Sequence, residues 1–188
     1  LGYGYYRLYL RPKTYDLRPI RVSVIQGNIP QELKWEINSR DFIMNKYFAL
    51  TKRAAEDKPD IIIWPEASVP FVLEEEPLNF ERIKDLAKEI KTPLLLGAVT
   101  SRENFYYNSA LLVSSDSEIL NKYDKLHLVP FGEYIPLKRI LPFLETVVPI
   151  GEFTAGKVYT VFTQDTRHKT HDTVNFSVLI CFEDLFPE

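Results

Sequence analysis

The hydrophobic pattern at the start of the chain predicts alternating strands and helices. Arg21–Gln26 has alternating apolar residues and is predicted as a strand, whereas Leu33–Glu56 has them close to helical spacing and is predicted as a long amphipathic helix. Ile61–Trp64 is continuously apolar, which is typical of a strand buried on both faces. Glu66 follows directly and is therefore predicted at the carboxyl end of a buried strand, where open α/β sheets place their chemistry.

The middle of the chain is predicted to form a helix, a strand and a hairpin. Phe80–Ile90 carries a helical apolar stripe, and Pro93–Val99 is a second buried strand. Phe105–Val113 and Glu118–Tyr123 are separated by a short polar turn and are predicted as a hairpin. Lys125 comes at the end of the second arm, so it also lies at a strand end.

The last third repeats the arrangement of a strand followed by a reactive residue. Pro130–Pro149 is rich in proline and aromatic residues and is predicted as a long structured loop. Val158–Thr163 and Thr173–Ile180 are predicted as strands, and Cys181 ends the second of them. Strands alternating with helices, followed by hairpins, indicate the α/β class, with helices on the outer face of a sheet.

Composition and charge narrow the classes of partner. A formal net charge of -3 does not provide the basic surface that nucleic-acid binding normally needs, so no nucleic-acid partner is expected. No apolar run approaches the ~20 residues of a membrane helix. Leu1–Leu10, however, holds four tyrosines and an arginine. That density is typical of the water interface just beyond a membrane helix, although a frayed terminal segment fits equally well.

Cys181 is the only cysteine, and its neighbours Glu183 and Asp184 are acidic. Acidic neighbours disfavour a thiolate, so a reactive Cys181 needs a cation from elsewhere in the fold. Lys125 is the candidate, since a lysine there would also stabilise the oxyanion of a tetrahedral intermediate. Glu66, partly desolvated beside its strand, is the candidate base. Singly, each has a more ordinary interpretation: a buried thiol, a solvated lysine and a surface acid.

Three segments carry a family resemblance: IIIWPEASVP, YDKLHLVPFGEYIP and SVLICFEDLFP resemble the Glu, Lys and Cys motifs of the nitrilase superfamily. Within it, HLVPFGEYIPL and VIQGNIPQELKW resemble the apolipoprotein N-acyltransferase branch. The resemblance implies a four-layer α-β-β-α sandwich of the α/β class, truncated at its C-terminal side. Residues 21–188 would form the N-terminal part of this catalytic domain, and residues 1–20 a juxtamembrane segment after a transmembrane region.

The resemblance also implies roles for particular residues. Glu66 would be the general base, Lys125 the oxyanion stabiliser and Cys181 the nucleophile. A further set of supporting or substrate-binding positions would surround them: Glu133, Glu183, Phe182, Trp35 and Tyr134. Among these, Glu133 would support Lys125 or the incoming amine, the backbone N–H of Phe182 would be a second oxyanion donor, and Trp35 would border a lipid-binding cleft. The family often has tyrosine at position 182, so the phenylalanine here lacks any role of that hydroxyl.

The implied reaction takes an acyl chain from a phospholipid onto the cysteine and passes it to the α-amino group of a lipid-modified N-terminal cysteine on an apolipoprotein. Two acyl transfers through a thioester need neither a metal nor an organic cofactor. Such enzymes lie in the bacterial inner membrane with this domain facing the periplasm. Two alternatives stay open: a soluble amidase using the same three residues, and a non-enzymatic interaction module, against which the intact triad argues.

Overall fold

The computed structural model describes residues 20–134, 152–165 and 173–186. A five-stranded mixed sheet has the strand order of the chain, and its first three strands run parallel while the last two are antiparallel to their neighbours. Its strands are β1 (Val22–Val24), β2 (Ile61–Ile63), β3 (Leu94–Arg102), β4 (Phe105–Val113) and β5 (Ile119–Asp124). Because β1, β2 and β3 run parallel, the residues that follow β2 lie at the carboxyl end of these strands, beside the part of β3 that extends past β2.

Two α-helices connect the parallel strands, α1 (Arg40–Ala55) and α2 (Pro77–Ile90). Helix α2 begins three residues earlier than predicted, with a proline in its first turn, where a missing N–H costs nothing. Helix α1 begins seven residues later than Leu33, because extended backbone at Glu36 separates it from an earlier 3₁₀ turn. Ile37, which prolonged the apolar pattern, is 73% exposed and joins no core.

Both faces of the sheet are buried, as the continuous apolar runs predicted. On one face, Leu94 and Leu96 of β3 pack in a core shared with residues of α1 and α2. On the other face, Leu95 packs with Phe162 and Ile180. Alternate residues of one strand therefore reach opposite cores, as the two-residue period of a strand requires.

The second core is covered by a two-stranded antiparallel sheet, β6 (Phe162–Asp165) and β7 (Thr173–Phe176). The described layers are thus helices, a large sheet and a small sheet, and the predicted α/β class is confirmed. Both strands differ from their predicted bounds, since β6 begins four residues later than Val158 and β7 stops at Phe176. Cys181 therefore does not end a strand; four residues without regular structure precede it.

Two predictions fall wholly or mostly outside the described residues: the juxtamembrane segment at residues 1–20, and the loop at residues 130–149 beyond Tyr134. Within residues 20–134, 152–165 and 173–186, no helix combines the length and hydrophobicity of a membrane span.

Candidate active site

Lys125 is a buried cation at the centre of the site. It follows β5, its side chain is 1% exposed, and its Nζ lies 2.8 Å from Glu133 Oε2 and 3.8 Å from Glu66 Oε1. A charge this deeply buried is stable only when it is paired and hydrogen-bonded. The two carboxylates therefore pair with the ammonium and fix its position.

The backbone around Lys125 continues the sheet beyond β5. Its N–H donates to the Asn108 carbonyl at 2.9 Å, and its own carbonyl accepts from the Gly156 N–H at 2.8 Å. A Cβ on Gly156 would collide with the Asp124 carbonyl, so only glycine allows this close approach. The lysine is thus held from both sides by main-chain contacts.

Glu133 is 9% exposed and ties the lysine to the following turn. Its Oε2 accepts from both Lys125 Nζ and the Val129 N–H at 2.8 Å, and its Oε1 accepts from Asn108 Nδ2 at 2.8 Å. Phe131, two residues earlier, has a φ of 63°, which turns the chain back so that Glu133 reaches the lysine. The Glu133 carboxylate has donors on both oxygens, as a buried anion requires.

Glu66 lies three residues beyond β2, at the carboxyl end of the parallel strands. Its side chain is 38% exposed, so it is less desolvated than its position after an apolar strand predicted. Its Oε1 accepts from Asn108 Nδ2 at 2.7 Å. The chain passes closely over β3 at this point, since a Cβ on Gly97 would lie 2.7 Å from the Glu66 Cα. Gly97 thereby allows Glu66 to lie flat against the sheet.

Cys181 opens a short 3₁₀ helix, Cys181–Leu185, and has a φ of 54°. Non-glycine residues rarely adopt this left-handed backbone, and strained turns of this kind present nucleophiles in other enzymes. The thiol is exposed and lines a cavity of about 260 Å³ together with Glu66, Gly97 and Asn108, called here the thiol cavity. The structure thus brings the predicted base and the predicted nucleophile to one cavity.

Glu183 is 1% exposed and anchors the cysteine turn to the strand that carries the lysine. Its Oε1 accepts from the Tyr123 hydroxyl at 2.7 Å and from the N–H groups of Leu126 and His127 at 2.8 and 3.0 Å. Its Oε2 accepts from the Ile180 N–H at 2.8 Å. Burial and the hydrogen bond to Glu183 raise the pKa of Tyr123 well above its ordinary value.

The remaining predicted residues line two other cavities. Phe182 and Tyr134 line an apolar groove of about 580 Å³ with Phe153 and Phe186, called here the aromatic groove. Trp35 lines a cavity of about 590 Å³ into which Glu66 and Asn108 also open, called here the Trp35 cavity.

Beside Trp35, Lys34 Nζ donates to the Glu66 carbonyl oxygen at 3.3 Å. Burial lowers the pKa of Lys34, and the negative charge of Glu66 opposes that shift. Lys34 therefore contacts the main chain of Glu66, the predicted base, whereas Lys125 approaches the Glu66 carboxylate.

Comparison with known proteins decides the family. The model of the carbon-nitrogen hydrolase family matches residues 21–188. The chain belongs to the carbon-nitrogen hydrolase family. Apolipoprotein N-acyltransferases from Geobacter metallireducens and Brucella suis biovar 1 are 35% and 37% identical over the whole of this chain. The chain spans about a third of their length, 35% and 36%. The resemblance predicted from the three motifs is confirmed.

Solved structures of two amidases share the fold. An amidase from Nesterenkonia sp. superposes with a TM-score of 0.60 at 16% identity, over 87% of this chain and 56% of its own. An N-terminal amidase has a TM-score of 0.59 at 18% identity, over 87% of this chain and 40% of its own. These neighbours confirm the nitrilase-like α/β fold.

Asn108 is the residue of this carbon-nitrogen hydrolase site that the sequence pattern missed. It lies within β4, is 5% exposed, and bridges the two carboxylates through one nitrogen. The signal was the polar pair Asn108-Ser109 inside an apolar strand, where a buried amide needs partners. Within the described ranges 20–134, 152–165 and 173–186, no group of three or more His, Cys, Asp or Glu side chains is arranged to hold a metal ion.

Proposed function

We propose that this domain is the catalytic part of an N-acyltransferase. It moves a fatty acyl chain from a phospholipid, through a thioester on Cys181, to the α-amino group of a diacylglyceryl-cysteine on an apolipoprotein. The observation that carries this assignment is the 35–37% identity, over the whole chain, with curated apolipoprotein N-acyltransferases. The buried Lys125 with its two carboxylates, beside a cavity that holds the thiol, supplies the chemistry that such a transfer needs.

In the first half-reaction, Glu66 takes the thiol proton and Cys181 sulfur attacks the ester carbonyl of the phospholipid. The C=O electron pair becomes an oxyanion, stabilised by the Lys125 ammonium and the Phe182 N–H. Collapse of this intermediate breaks the ester C–O bond, and Glu66 returns its proton to the departing alcohol of the lysophospholipid. Glu133 pairs with Lys125 and keeps its ammonium in place throughout.

In the second half-reaction, the α-amino nitrogen of the apolipoprotein attacks the thioester carbonyl. Glu66 accepts one amine proton, and the same two donors stabilise the second oxyanion. Collapse breaks the C–S bond, and the proton held by Glu66 returns to the Cys181 sulfur. Because the lysophospholipid leaves and a covalent thioester remains before the amine reacts, the kinetics are ping-pong.

The setting of the site suits a lipid substrate in a membrane. The aromatic groove, lined by Phe182 and Tyr134, is an apolar surface beside the cysteine turn that would hold the acyl chain. Trp35 lines a separate cavity together with Glu66, where it would border the lipid-binding cleft. The curated relatives are bacterial, and we place this domain on the periplasmic side of the inner membrane, with residues 1–20 as its juxtamembrane segment.

Mass spectrometry of the full-length protein after incubation with phospholipid tests this proposal. Wild type is expected to gain the mass of one acyl group, and Cys181→Ala none. Addition of a lipopeptide with a free α-amino group should then remove the acyl mass and yield an N-acylated peptide. A wild-type protein that never gains acyl mass would refute the assignment.

A soluble amidase is the second candidate, because solved neighbours of this fold are amidases. Such an enzyme would use the same three residues with water as acceptor. The same experiment separates the two functions: release of the acyl group at the same rate with and without lipopeptide would favour the hydrolase. Release that depends on the amine favours the transferase.

A further inference from the structure

Both N–H groups of the Asn108 side-chain amide donate hydrogen bonds. An amide nitrogen has two N–H groups, and Asn108 Nδ2 donates to Glu66 Oε1 at 2.7 Å and to Glu133 Oε1 at 2.8 Å. These two acceptors also fix the orientation of the amide, since the opposite assignment would set its carbonyl oxygen against two carboxylates.

The oxygen of the same amide accepts no hydrogen bond from the described residues. Asn108 is 5% exposed, yet within the part of the chain that the structure describes its buried Oδ1 has no hydrogen-bond partner. A buried acceptor without a partner is costly, so it is rarely kept without a reason. Asn108 lines both the thiol cavity, with Cys181, and the Trp35 cavity. The Asn108 side chain therefore borders the space where an acyl group on the sulfur and its acceptor would meet.

We propose that Asn108 Oδ1 accepts a hydrogen bond from the α-amino group that attacks the Cys181 thioester. This inference rests on the proposed function. A neutral primary amine carries two N–H groups when its nitrogen lone pair forms the new N–C bond. One proton passes to Glu66 and then to the sulfur as the C–S bond breaks. The other N–H, which the product amide retains, is the one that Asn108 holds.

The chemistry of the substrates assigns this contact to the second half-reaction. The ester of the acyl donor offers only acceptor oxygens, which cannot pair with the Asn108 carbonyl. The primary amine offers one N–H to each of two acceptors, Glu66 and Asn108. Asn108 thus selects an acceptor with a free N-terminal amine over one with a single N–H.

A comparison of two acceptors in two proteins tests the contact. Full-length wild type and Asn108→Leu, which has nearly the same shape, are first loaded with acyl chain from phospholipid. Single-turnover release is then measured with a lipopeptide bearing a free α-amino group and with its N-methylated form. The steric effect of the methyl group is common to both proteins, so the change in preference reports the hydrogen bond. Asn121→Leu is the matched control, because its Nδ2 bonds to the Val161 carbonyl outside the site.

Wild type and Asn121→Leu are expected to prefer the free amine equally. Asn108→Leu should lose about three- to tenfold of that preference, the effect of one hydrogen bond. An unchanged preference in Asn108→Leu would overturn the inference, as would a loss confined to thioester formation, which would place the contact on the thiol. If Asn108→Leu does not fold, Asn108→Ala is measured in the same way. A wild type that forms no thioester, or none that amines release, would instead overturn the proposed function together with this contact.

Discussion

Removal of the Glu183 carboxylate tests whether it anchors the site or takes part in the chemistry. Four donors converge on it: the Tyr123 hydroxyl and the N–H groups of Leu126, His127 and Ile180. In Glu183→Ala all four lose a buried partner. In Glu183→Gln one oxygen can still accept, but the amide N–H₂ that replaces the other faces a further donor.

The expected magnitudes follow from this count. A hydrogen bond to a charged group contributes about 1.5–3 kcal/mol, and neighbouring losses are not additive. We therefore expect Glu183→Gln to lower the free energy of unfolding by about 2 kcal/mol and Glu183→Ala by about 4 kcal/mol or more. The larger value is a substantial share of the ~5–15 kcal/mol that stabilises a typical domain.

Urea-dependent proteolysis of the full-length protein measures these changes. Asp184→Asn is the matched control, because it removes the neighbouring charge from an exposed side chain and should shift the free energy of unfolding by less than about 0.5 kcal/mol. A Glu183→Gln variant that unfolds like wild type but forms no thioester would refute the anchoring role and assign the carboxylate to the reaction. A small effect of Glu183→Ala would refute it as well.

Three further predictions concern the rest of the site. Lys125→Met should cost about 3–5 kcal/mol of stability by stranding buried Glu133, and adding Glu133→Gln should restore urea resistance but not thioester formation; no recovery would contradict the pairing. Gly97→Ala sets a Cβ 2.7 Å from the Glu66 Cα and should slow thioester formation by about 10²-fold, whereas an unchanged rate would show that the backbone adapts. The raised pKa of Tyr123 should keep its phenol neutral in the folded protein at about pH 11; the stabilisation that this provides is full below the ordinary tyrosine pKa and declines as the pH rises from that value through the higher folded one. Tyrosinate absorbance, wild type minus Tyr123→Phe, checks this; titration of Tyr123 near pH 10 would contradict it.

Local patterns predicted the central sheet well because a strand that is buried on both faces is continuously apolar in sequence. The hairpin of β4 and β5 differs from its prediction by only one residue at either end of the second arm. Helix α1 was predicted too long because Ile37 kept the helical period while lying exposed in the 3₁₀ turn that directly precedes the helix. Periodicity cannot distinguish an apolar residue that is buried from one that only matches the spacing.

The candidate site shows a second limit. The sequence predicted that acidic residues beside Cys181 would disfavour its thiolate. The Glu183 carboxylate instead accepts hydrogen bonds from donors 56 to 60 residues away along the chain. Asn108 was not predicted as a site residue because its two carboxylate partners are also far away along the chain, at 42 and 25 residues. Contacts across such separations depend on the tertiary fold and leave no local pattern.

The Glu183 anchor also bears on the order in which the site can form. The ion pairs of Lys125 with Glu66 and Glu133 involve only the first sheet and the turn after it, whereas Cys181 is held in place through donors synthesised long before it. Closing so long a loop is entropically costly and is completed late in folding. In a chain emerging from the ribosome, the Lys125 ion pairs could form while the thiol is still unplaced, so the proposed thioester could form only after the Cys181 turn docks.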